Sequence, residues 1–90
     1  MDYLIAITTV GSRPEAQALA RQIMAQRLAT CIHIHEIESF YYWEEKLQQE
    51  PEFRLLCKTT TSQYPNLERL IQDHHPYDLP ALYAIRPGSG

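Results

Sequence analysis

Residues 40–53 read Phe40-Tyr41-Tyr42-Trp43-Glu44-Glu45-Lys46-Leu47-Gln48-Gln49-Glu50-Pro51-Glu52-Phe53, and how this run folds decides the architecture. Four consecutive aromatics favour extended backbone, because a pleated strand sets large side chains on alternate sides. Glu44-Glu45-Lys46 interrupts the apolar pattern, and a second extended stretch follows from about Leu47 to Thr60, so the run predicts a hairpin. Pro51 has no N–H to give to a ladder and marks a bulge or an edge position in the second arm. The aromatics carry more apolar area than so small a domain can cover. Phe40, Tyr41 and Trp43 are therefore candidate subunit-interface residues, and alternating strand faces leave others free to line a cleft.

On the N-terminal side, Tyr3 to Thr9 is apolar, β-branched and uncharged, which predicts a short buried strand. Gly11 turns the chain. Ser12 is placed to cap a helix, with Pro14 in its first turn and Glu15 at the third position of a capping box. Ala16, Leu19, Ala20, Ile23 and Leu28 follow the 3.6-residue period, so the helix is expected to run to about Leu28 with one face on a sheet. From Thr30 the period becomes two, and Ile32 and Ile34 alternate with Cys31, His33 and His35. On the C-terminal side, Thr61-Ser62 and Pro65 open a second helix with the stripe Leu67, Leu70 and Ile71. Pro76 stops it, and Pro80 to Ile85 forms a last strand. The order predicts an α+β, ferredoxin-like βαββαβ fold: an antiparallel sheet with two helices on one face and an extended hairpin. Residues 1–90 are expected to form one domain, ending in a Gly88-Ser89-Gly90 tail.

Ninety residues place the core near the lower limit for folding alone, so burial against sister subunits is expected. The chain has eight basic and eleven acidic residues and a net charge of −3, without the basic cluster that a nucleic-acid footprint requires. No apolar run approaches the ~20 residues of a membrane span, and MDYLIAITTV lacks a basic leader pattern. The expectation is a cytoplasmic protein with no nucleic-acid or membrane partner. Two cysteines, Cys31 and Cys57, are expected as reduced thiols rather than a disulfide, with Cys57 packed as a small hydrophobe.

Cys31-Ile32-His33-Ile34-His35 is the most chemically pointed segment. Same-face residues of a strand lie about 6.5–7 Å apart, so one thiol and two imidazoles line one side while the isoleucines feed the core. Such donors suit copper or zinc. Two readings stand: Cys31, His33 and His35 are metal ligands, or the histidines are a polar strand face and the cysteine is packing. His74 and His75, adjacent at a helix end, diverge and do not chelate as a unit; one of them complements the negative helix terminus. Lys58 either borders an intersubunit cleft and receives an anion or extends its stem over apolar surface. Among enzyme signatures there is no glycine-rich phosphate loop, GxSxG, HExxH or CxxC, and the hairpin carboxylates read as a solvated edge. An organic cofactor is not expected.

LATCIHI after the first helix, SFYYWEEKL in the hairpin, LLCKTT in its second arm and HHPYDLPAL after the second helix together resemble the CutA family of divalent-cation-tolerance proteins. The resemblance runs from about Leu4 to Ile85 with the motifs in order. It implies a ferredoxin-like homotrimer in which long hairpins reach neighbouring subunits, related in architecture to the PII signalling trimers. It also implies non-enzymatic binding of copper or another divalent metal in metal tolerance. Cys31 falls at the family's cysteine after the first helix. Tyr42, Trp43 and Lys58 would line an intersubunit cleft, which in a PII-like alternative would sense a small molecule. Four departures stand out. His35-Glu36-Ile37 replaces the usual Pro-Gly type of loop, which lets the second strand run on. Glu45 stands where the family often has Gly, and Ala81 where it commonly has Glu. The chain ends at Gly90, where members usually continue into a segment with Tyr and Trp.

Overall fold

A computed structural model describes residues 2–75 and 81–87. Its elements are β1 (Tyr3–Val10), α1 (Arg13–Ala25), β2 (Cys31–Trp43), β3 (Lys46–Thr60), α2 (Tyr64–His74) and β4 (Leu82–Ile85). The strands form one sheet in the order β2-β3-β1-β4, with every neighbouring pair antiparallel. This is the ferredoxin-like βαββαβ arrangement that the element order predicts.

β2 and the aromatic segment are one strand. Its ladder with β3 keeps an unbroken register from Cys31↔Lys58 to Trp43↔Lys46, and no Pro or Gly in 31–43 interrupts it. β1 covers β3 only as far as Phe53. Residues 37–52 therefore project as a two-stranded ribbon with its turn, which accounts for a long axis of 44 Å. Pro51 lies on this projecting part, opposite Glu38, without a bulge. Alternation from the closing pair Trp43↔Lys46 of a two-residue hairpin puts Glu38↔Pro51 at a non-hydrogen-bonded position, where the missing N–H costs nothing.

At the hairpin tip Glu44 (φ 51°) and Glu45 (φ 66°) both adopt positive φ, as a type I′ turn requires. Neither is glycine or asparagine. The turn is carried by the two long arms rather than by its own residues.

Ser12 caps α1 as expected, its Oγ accepting from the Glu15 N–H at 3.3 Å. The Ser12 hydroxyl also donates to the Glu15 carboxylate at 2.8 Å. The helix ends at Ala25, three residues before the expected limit. The Leu28 N–H bonds the Ile23 carbonyl and the Arg27 N–H bonds the Met24 carbonyl, with Arg27 at φ 56°. That is a Schellman closure with arginine where glycine is usual, so the sequence carries no stop signal. Leu28 remains buried beside Ile23, which explains why it fits the helical period without being helical. At α2 the N-cap is Gln63 rather than Thr61 or Ser62, and Thr60 Oγ1 accepts from its N–H at 3.2 Å. Strand β4 begins at Leu82; Pro76 and Pro80, assigned roles above, lie outside the described residues.

Both helices cover one side of the sheet. Ala16, Leu19 and Ile23 of α1 and Leu67, Leu70 and Ile71 of α2 pack on Ala6, Val10, Leu55 and Cys57. Register assigns the opposite, helix-free side to Ile5, Ile7, Cys31, His33, His35, Tyr41, Trp43, Arg54, Leu56, Lys58, Tyr83 and Ile85.

Candidate metal centre and subunit face

The three candidate ligands lie on the helix-free side, each facing a known neighbour across the ladder: Cys31 opposite Lys58, His33 opposite Leu56, His35 opposite Arg54. Cys31 is half-buried and the two histidines are exposed. Two of the three converge: Cys31 Sγ lies 3.4 Å from His33 Nε2. The His33 and His35 rings stand edge-on at 87° with centroids 6.4 Å apart. Among the described residues, no three His, Cys, Asp or Glu side chains gather closely enough to hold an ion by themselves.

The convergent pair nevertheless fits a metal. A thiolate at ~2.3 Å and an imidazole nitrogen at ~2.0 Å from one tetrahedral ion stand about 3.5 Å apart, close to the observed separation. A bound ion of that kind supplies a Lewis-acidic, thiophilic centre; Cys31 Sγ and His33 Nε2 would hold it.

Both cysteines are free. Cys57 pairs with Ile32 on the helix side, so the two thiols point to opposite faces of the sheet and cannot bond within one chain. Burial pushes the Cys57 thiol up to about 12, consistent with its role as a core hydrophobe.

Tyr42, Trp43 and Lys58 do not meet within one chain. Tyr42 is on the helix side and Trp43 on the other. Lys58 is twelve positions along β3 from Lys46, the partner of Trp43, which is roughly 40 Å of extended chain. Lys58 instead borders a groove of about 640 Å³ lined by Tyr3, Ile5, Thr30 and Pro87. The interface candidates Phe40, Tyr41 and Trp43 are exposed, Trp43 at 65%, and Tyr42 reaches 74%. Cross-strand bonds brace the ribbon: the Tyr41 hydroxyl donates to Glu50 at 2.9 Å, and Gln49 Nε2 donates to Glu38 at 2.9 Å. The first of these raises the Tyr41 phenol above its ordinary 10.

His75 has a role that sequence reasoning missed. It is the C-cap of α2, is buried, and its Nε2 lies 2.7 Å from the Thr9 carbonyl oxygen. A carbonyl only accepts, so Nε2 carries the proton. The adjacent His74 ends the helix exposed, where it complements the negative terminus.

The family described as CutA1 divalent ion tolerance protein matches residues 4–90. The chain belongs to this family. It is 37% identical over 83 residues to the divalent-cation tolerance protein CutA of Escherichia coli O139:H28, covering 91% of this chain and 74% of that protein. The CutA structure from Synechococcus elongatus superposes with a TM-score of 0.93 at 36% identity, covering 96% of this chain and 77% of that one. CutA1 from Oryza sativa gives 0.92 at 32% identity, covering 100% and 84%. A relative from Archaeoglobus fulgidus, at 28% identity and a TM-score of 0.90 over 98% of this chain and 86% of that one, is described as a periplasmic divalent cation tolerance protein. In this chain, no helix among the described residues is long and apolar enough to cross a membrane.

Proposed function

We propose that this CutA1 family member is a non-enzymatic, cytoplasmic homotrimer that binds copper or another divalent metal and contributes to metal tolerance. The observation that carries the metal reading is the 3.4 Å separation of Cys31 Sγ and His33 Nε2, which suits two ligands of one ion. His35 belongs to the same face and extends the donor surface. Ile5, Leu56, Tyr83 and Ile85 on the helix-free side, together with the exposed aromatics of the ribbon, support assembly through that face. Measurement of the native mass by light scattering and of the metal content after purification without a histidine tag tests both halves. The expected outcome is three times the 10.5 kDa chain mass with copper or zinc retained or readily taken up. A stable metal-free monomer that takes up neither ion overturns the reading.

The groove beside Lys58 favours a second reading, a PII-like small-molecule sensor. Its ammonium group adjoins the apolar walls of Tyr3 and Ile5, a combination that suits an anion with an apolar body. Saturable displacement of the backbone amide resonances of Tyr3, Thr30 and Lys58 by a nucleotide or carboxylate, abolished by Lys58→Ala, would favour it over metal binding.

A further inference from the structure

We propose that Cys31 is a thiolation site: its sulfur exchanges with anionic low-molecular-weight disulfides, with His33 taking the thiol proton and Lys58 drawing in the reagent. The inference does not require a metal, and it shares with the second reading above only the groove beside Lys58.

A nucleophile, a base and a cation meet at this corner of the sheet. Cys31 Sγ lies 3.4 Å from His33 Nε2. A thiol within reach of an imidazole is the arrangement by which a side-chain base activates a sulfur nucleophile. Lys58 faces Cys31 across the β2–β3 ladder and Ile5 across the β3–β1 ladder, so the three share one row of the helix-free side. Among the described residues no carboxylate pairs with Lys58, which leaves its exposed ammonium for an anion arriving beside the sulfur.

The reagent has room. The groove of about 640 Å³ is lined by Thr30, which precedes Cys31, and by Lys58, which faces it, with Tyr3, Ile5 and Pro87 as apolar walls. The Thr30 N–H bonds the Lys58 carbonyl at 2.8 Å and the Thr30 hydroxyl donates to the same oxygen at 3.3 Å, which fixes the wall next to the thiol. Cys31 is the first residue of the edge strand β2 and is half-buried, so it lies at a corner of the helix-free side and not in its middle.

In the exchange the Cys31 sulfur attacks one sulfur of the reagent. The reagent's S–S bond breaks as the new one forms, and the departing thiolate takes up the Cys31 proton by way of His33. One thiol and one disulfide thus give another of each. The second cysteine of the chain, Cys57, is fully buried on the helix side and cannot resolve the adduct. The mixed disulfide therefore persists until an external thiol removes it.

The test reacts reduced, metal-free, tag-free protein with small disulfides that differ in charge: dithiodiglycolate, hydroxyethyl disulfide and cystamine. The chain's net charge of −3 by itself favours the cationic cystamine. The expected order is the reverse, with dithiodiglycolate at least about fivefold faster than cystamine at low ionic strength and the ratio shrinking as salt is added. This rank order is read on the unmodified protein and needs no variant to fold. Mass spectrometry should find one adduct per chain, mapped to Cys31 and reversed by excess thiol. Lys58→Ala should abolish the preference but not the adduct, and His33→Gln should slow all three reagents by at least about fivefold. An adduct on Cys57, faster reaction with cystamine, a preference that survives Lys58→Ala, or rates unchanged in His33→Gln overturns the inference. Each of those outcomes leaves metal binding, measured separately on the same preparation, untouched.

Discussion

The His75 Nε2–H donates to the Thr9 carbonyl oxygen across 2.7 Å, fastening the end of α2 to the sheet strand β1. Burial lowers the His75 pKa from its ordinary 6.5, against the opposing effects of the Thr9 bond and the Glu15 charge. The folded state therefore holds a proton on this ring less readily than the unfolded chain does. Its contribution to stability is complete above about 6.5 and is lost as pH falls from there through the lower folded value. Thermal unfolding should show a midpoint that declines below pH 6.5. In His75→Gln the slope attributable to this group should vanish; an unchanged slope would assign the decline to other groups.

The hairpin turn is strained at two glutamates. A left-handed conformation costs ~1–2 kcal/mol for a residue with a Cβ, and glycine avoids most of it. Glu45→Gly should therefore raise stability by about 1 kcal/mol, seen as a higher denaturant midpoint at constant slope. A lower midpoint would mean that the Glu45 side chain contributes more than its backbone conformation costs.

Trp43 separates a lone chain from an assembly. At 65% exposure in the single chain, its truncation to Ala should change stability by no more than about 0.5 kcal/mol. Covered by another copy, it should cost roughly 3–5 kcal/mol and reduce the oligomer mass. Denaturation at two protein concentrations together with light scattering distinguishes the cases.

The two thiols should differ in reactivity. Cys57 is fully buried with its pKa near 12, whereas Cys31 is half-buried on the helix-free face. A disulfide reagent on the native, metal-free protein should titrate one thiol quickly and the second only after denaturation. Two fast thiols would show that the core around Cys57 opens readily.

The βαββαβ order, the capped start of α1, the stripe Leu67, Leu70 and Ile71 and the alternation of Ile32 and Ile34 with Cys31, His33 and His35 were all legible in the sequence. Each rests on a local period or a local hydrogen bond, and local rules act on residues close in the chain. The end of α1 was not legible, because Arg27 takes a conformation usually signalled by glycine and the surrounding bonds hold it there. Nor was the tether from His75 to Thr9, which joins residues 66 positions apart. The site divides in the same way. Periodicity put three donors on one face, but only the folded sheet decided that Cys31 and His33 converge while His35 faces Arg54. Strand period determines the side to which a side chain points, whereas the distance between two donors depends on rotamers and on the neighbour that register supplies from the next strand.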